Sequence, residues 1–487
     1  MTTLSHKRRV LLIVPPTGLY IREDRCQTPI ENMKTIALRP PIDLMYSAAS
    51  VEAAGCECKL VDYPAENRGW EEFRRDFAAF DPDVIMLSIT TPSLHKDVEA
   101  ARIAKELKPS VLTVAKGAHF HVLDRDSLEK YPQLDCVIRG EYEITAAEIG
   151  RGVPLEAING LTWRRDDGSI IKNADRGFID DLDTVPFPAR HLTNNSLYLR
   201  PDTLEPQTTI VTNRGCPHSC IYCLAPLVSG KKNRYRSTDN VVAEIEQCVN
   251  EFGIRNFLFR SDLFTQNKKW VIELCQKIIE RDLDISWASN SRVDCINREM
   301  LEWMKKAGCW IIAFGVESGN SEILEKIKKK ATTDQAREAV WLCREVGICS
   351  SIYLLMGLPW DTPQTIDDNV RFAREIQPDF VEVFYSYPFP GTELHKIALE
   401  NNLIQPGEIP LEAYANPAMG GLHLTREQLG AYRRQALRRI YLQPGYIWKT
   451  LRKARSPREL FQYVKFGLLT LKDLIFGKPP MRGSATD

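Results

Sequence analysis

An α/β protein built from two parallel-sheet units is what this sequence predicts: an N-terminal doubly wound sheet, a central partial (β/α)6 TIM-like barrel and a C-terminal helical region. Three observations predict it. Short apolar, β-rich runs alternate with stretches of helical spacing over residues 8–150 and again over 207–405, the pattern of parallel strands joined by helices. Between these units, residues 178–206 crowd Pro, Asp and Asn, including Val185-Pro-Phe-Pro188, which reads as a linker. After Pro406 the alternation stops and basic, helically spaced sequence takes over. The expected division is therefore 8–150, a hairpin and linker over 151–206, a second unit over 207–405, and a tail over 406–487.

In the first unit, residues 10–14 read as a buried strand ended by Pro15 and Pro16, and 42–54 as a helix stopped by Gly55. Residues 59–62 read as a strand, 70–80 as a helix closed by Asp81-Pro82, 84–88 as a fully apolar strand and 94–107 as a helix. Residues 111–115 and 136–138 bring the strands to about five. In such a sheet a ligand sits outside the carboxyl ends of the strands, where strand order reverses. The loops there hold Thr17, Ser88, Thr90, Gly117, His119, Gly140 and Glu141. They are small or polar, as suits a cradle for a flat ligand or a phosphate; the alternative is an empty docking domain. Residues 160–171 make two alternating runs about Asp167-Gly168, a hairpin signal.

In the second unit, six strands are expected at 208–212, 256–259, 285–288, 310–316, 349–356 and 381–385, with helices between them. Cofactor groups then gather at strand carboxyl ends. The first strand delivers the loop Arg214-Gly-Cys-Pro-His-Ser-Cys-Ile-Tyr-Cys-Leu224, in which Cys216, Cys220 and Cys223 are spaced C-x3-C-x2-C. A 4Fe–4S cluster normally takes four thiolates, so three this close leave one iron open to a substrate or cofactor. Zinc would want a fourth ligand from a second CxxC or an HxxxH pair. His218 lies too near Cys216 in sequence to join the same tetrahedron easily.

On these residues the loop resembles that of the radical S-adenosylmethionine (SAM) enzymes, including the aromatic Tyr222 before the last cysteine. The resemblance implies that the open iron chelates SAM and that reduction cleaves it to a 5′-deoxyadenosyl radical. Later strand ends resemble the same family in order. Asp262, in Arg260-Ser-Asp-Leu-Phe-Thr265, resembles the acidic element that meets the SAM amino group, with Ser261 where a first Asp is common. Glu317 and Ser318, in Gly315-Val-Glu-Ser-Gly319, resemble the element that reaches the SAM amino acid or ribose. Arg292 suits the SAM carboxylate, because a guanidinium pairs bidentately. Gly357, in Leu355-Met-Gly-Leu-Pro359, resembles the stretch along the adenine, and Tyr385-Ser-Tyr-Pro-Phe-Pro-Gly-Thr392 a closing element of the same subfamily.

A doubly wound domain just ahead of such a loop resembles the cobalamin-binding domain of cobalamin-dependent radical SAM enzymes, and Gly117-Ala-His119 and Arg139-Gly-Glu141 resemble its loops. The D-x-H-x-x-G motif that carries a lower axial histidine is absent, so His119 is either a cobalt ligand or a satisfied loop histidine. The cofactors implied are a 4Fe–4S cluster, SAM and cobalamin. The partners implied are a small-molecule or lipid-like substrate and a reductase, flavodoxin or ferredoxin as electron donor. The reaction implied is C-methylation of an unactivated carbon. The alternatives are oxidative cyclisation, rearrangement or adenosyl addition and, more remotely, a non-catalytic iron–sulfur or cobalamin sensor.

Charge and cysteine usage narrow the class further. Lys and Arg number 64 and Asp and Glu 64, a formal net charge of zero, which argues against a nucleic-acid-coating protein. The thirteen cysteines are scattered singly outside the loop, as in a reducing cytosol rather than a disulfide framework. No signal peptide pattern and no long uncharged apolar run occur, so a cytoplasmic protein is expected. The balance hides an asymmetry: from Ala431 onward thirteen Lys and Arg face three Asp and Glu. Residues 425–441 read as a helix carrying Arg433, Arg434, Arg438 and Arg439; 460–476 repeats Leu460, Val464, Leu468, Leu471 and Ile475, with Lys465 and Lys472 between. Such a stretch either lies on an anionic membrane surface, peripheral to the inner face, or packs over the barrel mouth with its basic face solvated.

Overall fold

The computed structural model describes residues 7–23, 26–29, 38–409, 416–454 and 456–476. The two ends of the sequence and the side chain of Ile475 lie outside the described residues.

The first unit contains β1 (Arg9–Val14), β2 (Tyr20–Glu23), β3 (Cys26–Pro29), β4 (Glu57–Asp62), β5 (Val84–Ser88), β6 (Leu112–Lys116), β7 (Cys136–Ile138), β8 (Leu161–Arg164) and β9 (Ile170–Lys172). Seven of these form one sheet in the order β4-β1-β5-β6-β7-β8-β9, parallel from β4 to β7 and antiparallel thereafter. The expected hairpin of residues 160–171 thus does not stand apart; it extends the first sheet. Alternation along β1 shows why the sheet needs cover on both faces. Val10, Leu12 and Val14 pack with the helices Ile42–Ala53 and Tyr142–Arg151, while Leu11 and Ile13 pack with Phe73, Phe77, Ala101 and Ala104 on the other side. Strand order reverses between β1 and β5, so the loops after these two strands flank the switch point.

The linker is anchored rather than loose. Arg190, fully buried, reaches Glu244 at 2.6 Å and the carbonyl of Thr209 at 2.9 Å, and Arg236 closes on the same carboxylate. Tyr198 donates to Asp62 at 3.0 Å, pinning the linker to the end of β4.

The second unit contains β10 (Gln207–Val211), the short pair β11 (Asn213–Arg214) and β12 (Arg234–Tyr235), then β13 (Asn256–Arg260), β14 (Ser286–Ser291), β15 (Cys309–Glu317), β16 (Cys349–Met356) and β17 (Phe380–Tyr385). Six of them form an all-parallel sheet in sequential order, β10-β13-β14-β15-β16-β17, as the partial barrel requires. The helices between them start at polar caps that the sequence supplies: Ser237, Asn297 and Thr332 each accept a backbone N–H of the first turn. Helices cover one face of this sheet, packing on Ile210, Phe257, Phe259, Trp287, Phe314, Ile352 and Val381. The other face is left for the site.

β17 is an edge strand, and the tail covers it. The helix Arg426–Tyr441 sends Arg433 to the carbonyl of Val383 at 2.8 Å and Tyr441 to that of Val381. The next helix, Pro444–Leu451, sends Tyr446 to the carbonyl of Asp379 at 2.9 Å and Lys449 to that of Gln377 at 2.7 Å. These last contacts sit where β17 begins. The last helices therefore lie at the end of the sheet opposite the thiol loop, which corrects the expectation of a helix over the barrel mouth. Earlier in the tail, Ala418 and Met419 pack against Leu224, Val228 and Ile221 of the thiol loop.

Candidate active site

The three thiols sit on a loop held at both ends. β11 and β12 pair antiparallel, Asn213 with Tyr235 and Arg214 with Arg234, so residues 215–233 leave and return at one place. Gly215 has φ +96°, and a Cβ there would lie 2.0 Å from the Lys232 carbonyl oxygen; no side chain fits. Its N–H donates to Asp262 at 2.6 Å, which ties the loop to the end of β13. The backbone of Cys216 donates to Gly230 at 3.0 Å and that of Ile221 to Ile327 at 3.2 Å. None of the three cysteines is in a disulfide, and all are half-buried. Burial, then Asp262 and Cys220, push the Cys216 thiol up, against the pull of the His218 N–H and of Arg292. The N–H of Ala225 points at the Cys223 sulfur from 3.4 Å.

Among the described residues no three His, Cys, Asp or Glu side chains converge on a single metal ion. A cubane makes a different demand, with each thiolate on its own iron. Three part-exposed thiols outside any disulfide and an amide aimed at one sulfur fit that demand.

Around the loop the structure gathers most of the predicted SAM residues. Glu317 ends β15 at φ +69°, at a register shift against β16. It is 8% exposed and pairs with Lys329 at 2.8 Å. Gly315 makes the room: a Cβ there would meet the Glu317 carboxylate at 2.5 Å and Lys329 at 3.0 Å. Tyr222 hydrogen-bonds Glu317, and burial followed by that carboxylate holds its phenol well above the ordinary value. Arg292 grips Asp294 through two 2.9 Å bonds and donates to the Lys329 carbonyl at 2.8 Å. It lies within electrostatic reach of Cys216 and Cys220. Two predicted contacts lie one layer deeper. Ser318 is fully buried and bonded to Asn369 at 2.9 Å and to the Asn320 N–H at 3.1 Å, so its hydroxyl shapes the turn. Gly357, at φ +83°, donates its N–H to buried Asp361 at 2.8 Å.

The strand ends of the first unit face this loop. Thr17 bonds Asp97 at 2.5 Å, and Arg22 reaches the same carboxylate at 2.6 Å and the Ser88 carbonyl at 2.8 Å. Thr90 shares a 2.6 Å bond with Ser93. These groups make a buried network beneath the surface rather than free donors. Gly117, at φ +146°, would put a Cβ 2.0 Å from the Ile89 carbonyl oxygen. His119 is buried 3.4 Å from Thr91, and burial pulls its pKa down to about 4, so it is neutral. His121 was not singled out by sequence. Its Nδ1 accepts the Gly140 N–H at 3.1 Å, which leaves the proton on Nε2, and that buried atom has no partner among the described residues. Two glycine-floored loops and an orphaned donor fit a flat ligand rimmed with amides.

Glu141 does a different job from the one expected of a cobalamin loop. It pairs with Arg234 at 2.8 Å and Arg214 at 3.2 Å, and Glu143 takes Arg214 at 2.5 Å. Burial works against the Arg214 charge, but Glu143 and Glu141 more than offset it. The two units are thus clamped at the first residues of the thiol loop. An open cleft of about 550 Å³ lies alongside, lined by Glu143, Arg214, Arg260, Ser261 and Asp262 among others.

The inner face of the second sheet carries groups that sequence did not flag. Asn290 is exposed although β14 is an interior strand, and Tyr353 and Glu382 are paired across β16 and β17. Burial holds the Glu382 carboxyl up at about 7, against the pull of Arg39. Only alternation on a sheet whose covered face is already known would have found them.

Comparison with known proteins follows the same outline. The family model described as "Radical SAM superfamily" matches residues 210–373, and that described as "B12 binding domain" matches 38–150. An "Uncharacterized methyltransferase PH0819" of Pyrococcus horikoshii is 30% identical over 447 residues, 91% of this chain and 94% of that one. The anaerobic magnesium-protoporphyrin IX monomethyl ester cyclase of Rubrivivax gelatinosus is 27% identical over 365 residues, 73% of this chain and 65% of that one. Among solved structures, the cobalamin-dependent SAM radical enzyme OxsB with aqua-cobalamin bound superposes with a TM-score of 0.73 at 16% identity, covering 97% of this chain and 72% of that one.

Proposed function

Because the chain belongs to the radical SAM superfamily, in the group with a B12-binding domain ahead of the radical SAM domain, we propose that it methylates an unactivated carbon of a small-molecule substrate. It is an enzyme whose cofactors are a 4Fe–4S cluster, SAM and cobalamin. Together these supply a reductively generated radical that takes a hydrogen atom from the substrate, and a methyl group to replace it. The chain's own residues bind, orient and exclude.

Cys216, Cys220 and Cys223 would hold the cluster. Asp262, Glu317 and Tyr222 would meet the amino-acid end of SAM, Arg292 its carboxylate, and the backbone at Gly357 its adenine side. Gly117, Gly140, His119 and His121 would line the cobalamin loops, with Thr17, Ser88 and Thr90 supporting them from below. A substrate on the inner face would lie against Asn290, Tyr353 and Glu382. A reductase, flavodoxin or ferredoxin would deliver the electron. One observation carries the reading: Arg214, immediately before the cysteine motif, is locked to Glu141 and Glu143 at the B12-type strand end. That lock sets the two cofactor loops against each other across one cleft.

The test is anaerobic purification from cobalamin-replete cells, with iron and cobalamin assayed, followed by SAM labelled at its methyl group and mass spectrometry of the extract. About four irons, stoichiometric cobalamin and a labelled product are expected. Cofactor-replete protein that consumes SAM but leaves every product unlabelled would sink methylation. It would favour the second reading, oxidative cyclisation, which the likeness to the cyclase supports.

A further inference from the structure

Half of the large apolar side chains that the described residues leave exposed lie between Leu442 and Leu469. The helix Pro457–Phe476 has its faces reversed from those of an ordinary surface helix. Toward the protein it turns Gln462, only 6% exposed, with Tyr463 and Phe466 beside it. Away from the protein it turns Leu460, Phe461, Val464 and Leu468, which are 41, 64, 42 and 60% exposed. At about 100° per residue these four make one unbroken outward stripe, with Arg458, Lys465 and Lys472 along one flank. The neighbouring helix Pro444–Leu451 adds Ile447 and Trp448, 45 and 64% exposed.

Charge selects the occupant. The exposed flank of the stripe carries Arg458, Lys465 and Lys472, within a tail whose sequence beyond Ala431 has thirteen Lys and Arg against three Asp and Glu. A basic flank opposes contact with a second copy of itself and suits a surface that offers acyl chains and phosphates together. No helix among the described residues is long and apolar enough to cross a membrane. We propose that the helix Pro457–Phe476 lies in the plane of an anionic lipid bilayer, with Leu460, Phe461, Val464 and Leu468 in the acyl boundary and Lys465 and Lys472 at the lipid phosphates. This helix packs at the end of the sheet opposite the thiol loop: Asp202, ahead of β10, and Cys349, which opens β16, both act on the Tyr463 phenol. Docking therefore presents the cofactor cleft to water, whichever reaction is run there.

The experiment is flotation of the full-length, cofactor-loaded protein with vesicles of phosphatidylcholine alone or mixed with phosphatidylglycerol. Flotation with the anionic mixture only is expected, weakening as salt shortens the Debye length. Lys465→Ala and Lys472→Ala should each weaken binding by about five-fold. Phe461→Glu with Leu468→Glu should abolish it, with melting midpoint and SAM cleavage unchanged. If the glutamate variant melts early, the two lysine variants, both at solvent-exposed positions, decide the question. Absence of flotation by the wild-type protein would overturn the assignment, as would binding indifferent to these changes. So would a dimer in sedimentation velocity that Phe461→Glu disperses, since the stripe would then belong to a second copy.

Discussion

Glu317 and Lys329 hold each other over Gly315, where an added Cβ would meet the Glu317 carboxylate at 2.5 Å and force the pair to shift. Both are mostly buried, so removing one leaves the other as an uncompensated charge. Glu317→Gln should therefore cost about 3 kcal/mol of folding stability by urea titration, as well as weakening SAM. A fall in SAM affinity with no change in the urea midpoint would mean that Lys329 finds water and the pair is not structural. Glu382 makes a pH prediction. In the folded chain its carboxyl keeps its proton up to about 7, against 4.5 as the ordinary value. The native state thus binds more protons than the unfolded state between those limits, and stability falls as pH rises through that window. Glu382→Gln should flatten the slope of melting temperature against pH there and raise stability at pH 8. An unchanged slope would place the proton elsewhere. Neither was legible in sequence, because Lys329 reaches Glu317 from another element and the burial of Glu382 is set by packing from distant parts of the chain.

At the scale of elements, the edge of β17 is closed by side chains rather than by another strand. Arg433 and Tyr441 satisfy the carbonyls of Val383 and Val381. Tyr441→Phe should cost about 1–3 kcal/mol by leaving a buried carbonyl unpaired, and Arg433→Met with Tyr441→Phe should raise aggregation on heating, read by light scattering. Loss of stability without aggregation would show that the tail covers the edge by packing alone. The strands themselves were legible because they are short apolar runs between polar stops: all six of the second unit fall within a few residues of where the sequence places them. β2 and β3 were not. Their residues, Tyr20–Glu23 and Cys26–Pro29, are mostly polar and show no alternation, and they pair with each other rather than with a buried sheet. The tail shows the other limit. Its helical period was plain, but which stripe faces outward depends on what the protein offers it, and period alone does not carry that.

At the scale of the molecule, the Arg214, Arg234, Glu141 and Glu143 cluster joins the two units. Arg234→Met strips Glu141 of a partner in a buried setting and should cost about 3–5 kcal/mol. Arg234→Met with Glu141→Met should recover much of that, giving a large coupling energy in a double-mutant cycle. Additive losses would show that water already reaches the cluster. The order of units, the cysteine loop and the strand-end glycines could be read along the chain, since each is a local pattern. The clamp could not, for it joins residues 71 to 93 positions apart through charges that look solvated in sequence.

The same clamp bears on how such proteins diversify. A first unit taken from a relative would arrive with its own charges at the positions of Glu141 and Glu143, and the displaced penalty would fall on Arg214, two residues ahead of the cysteine that begins the metal loop. Grafts that ignore these four positions should lose iron before they lose cobalamin.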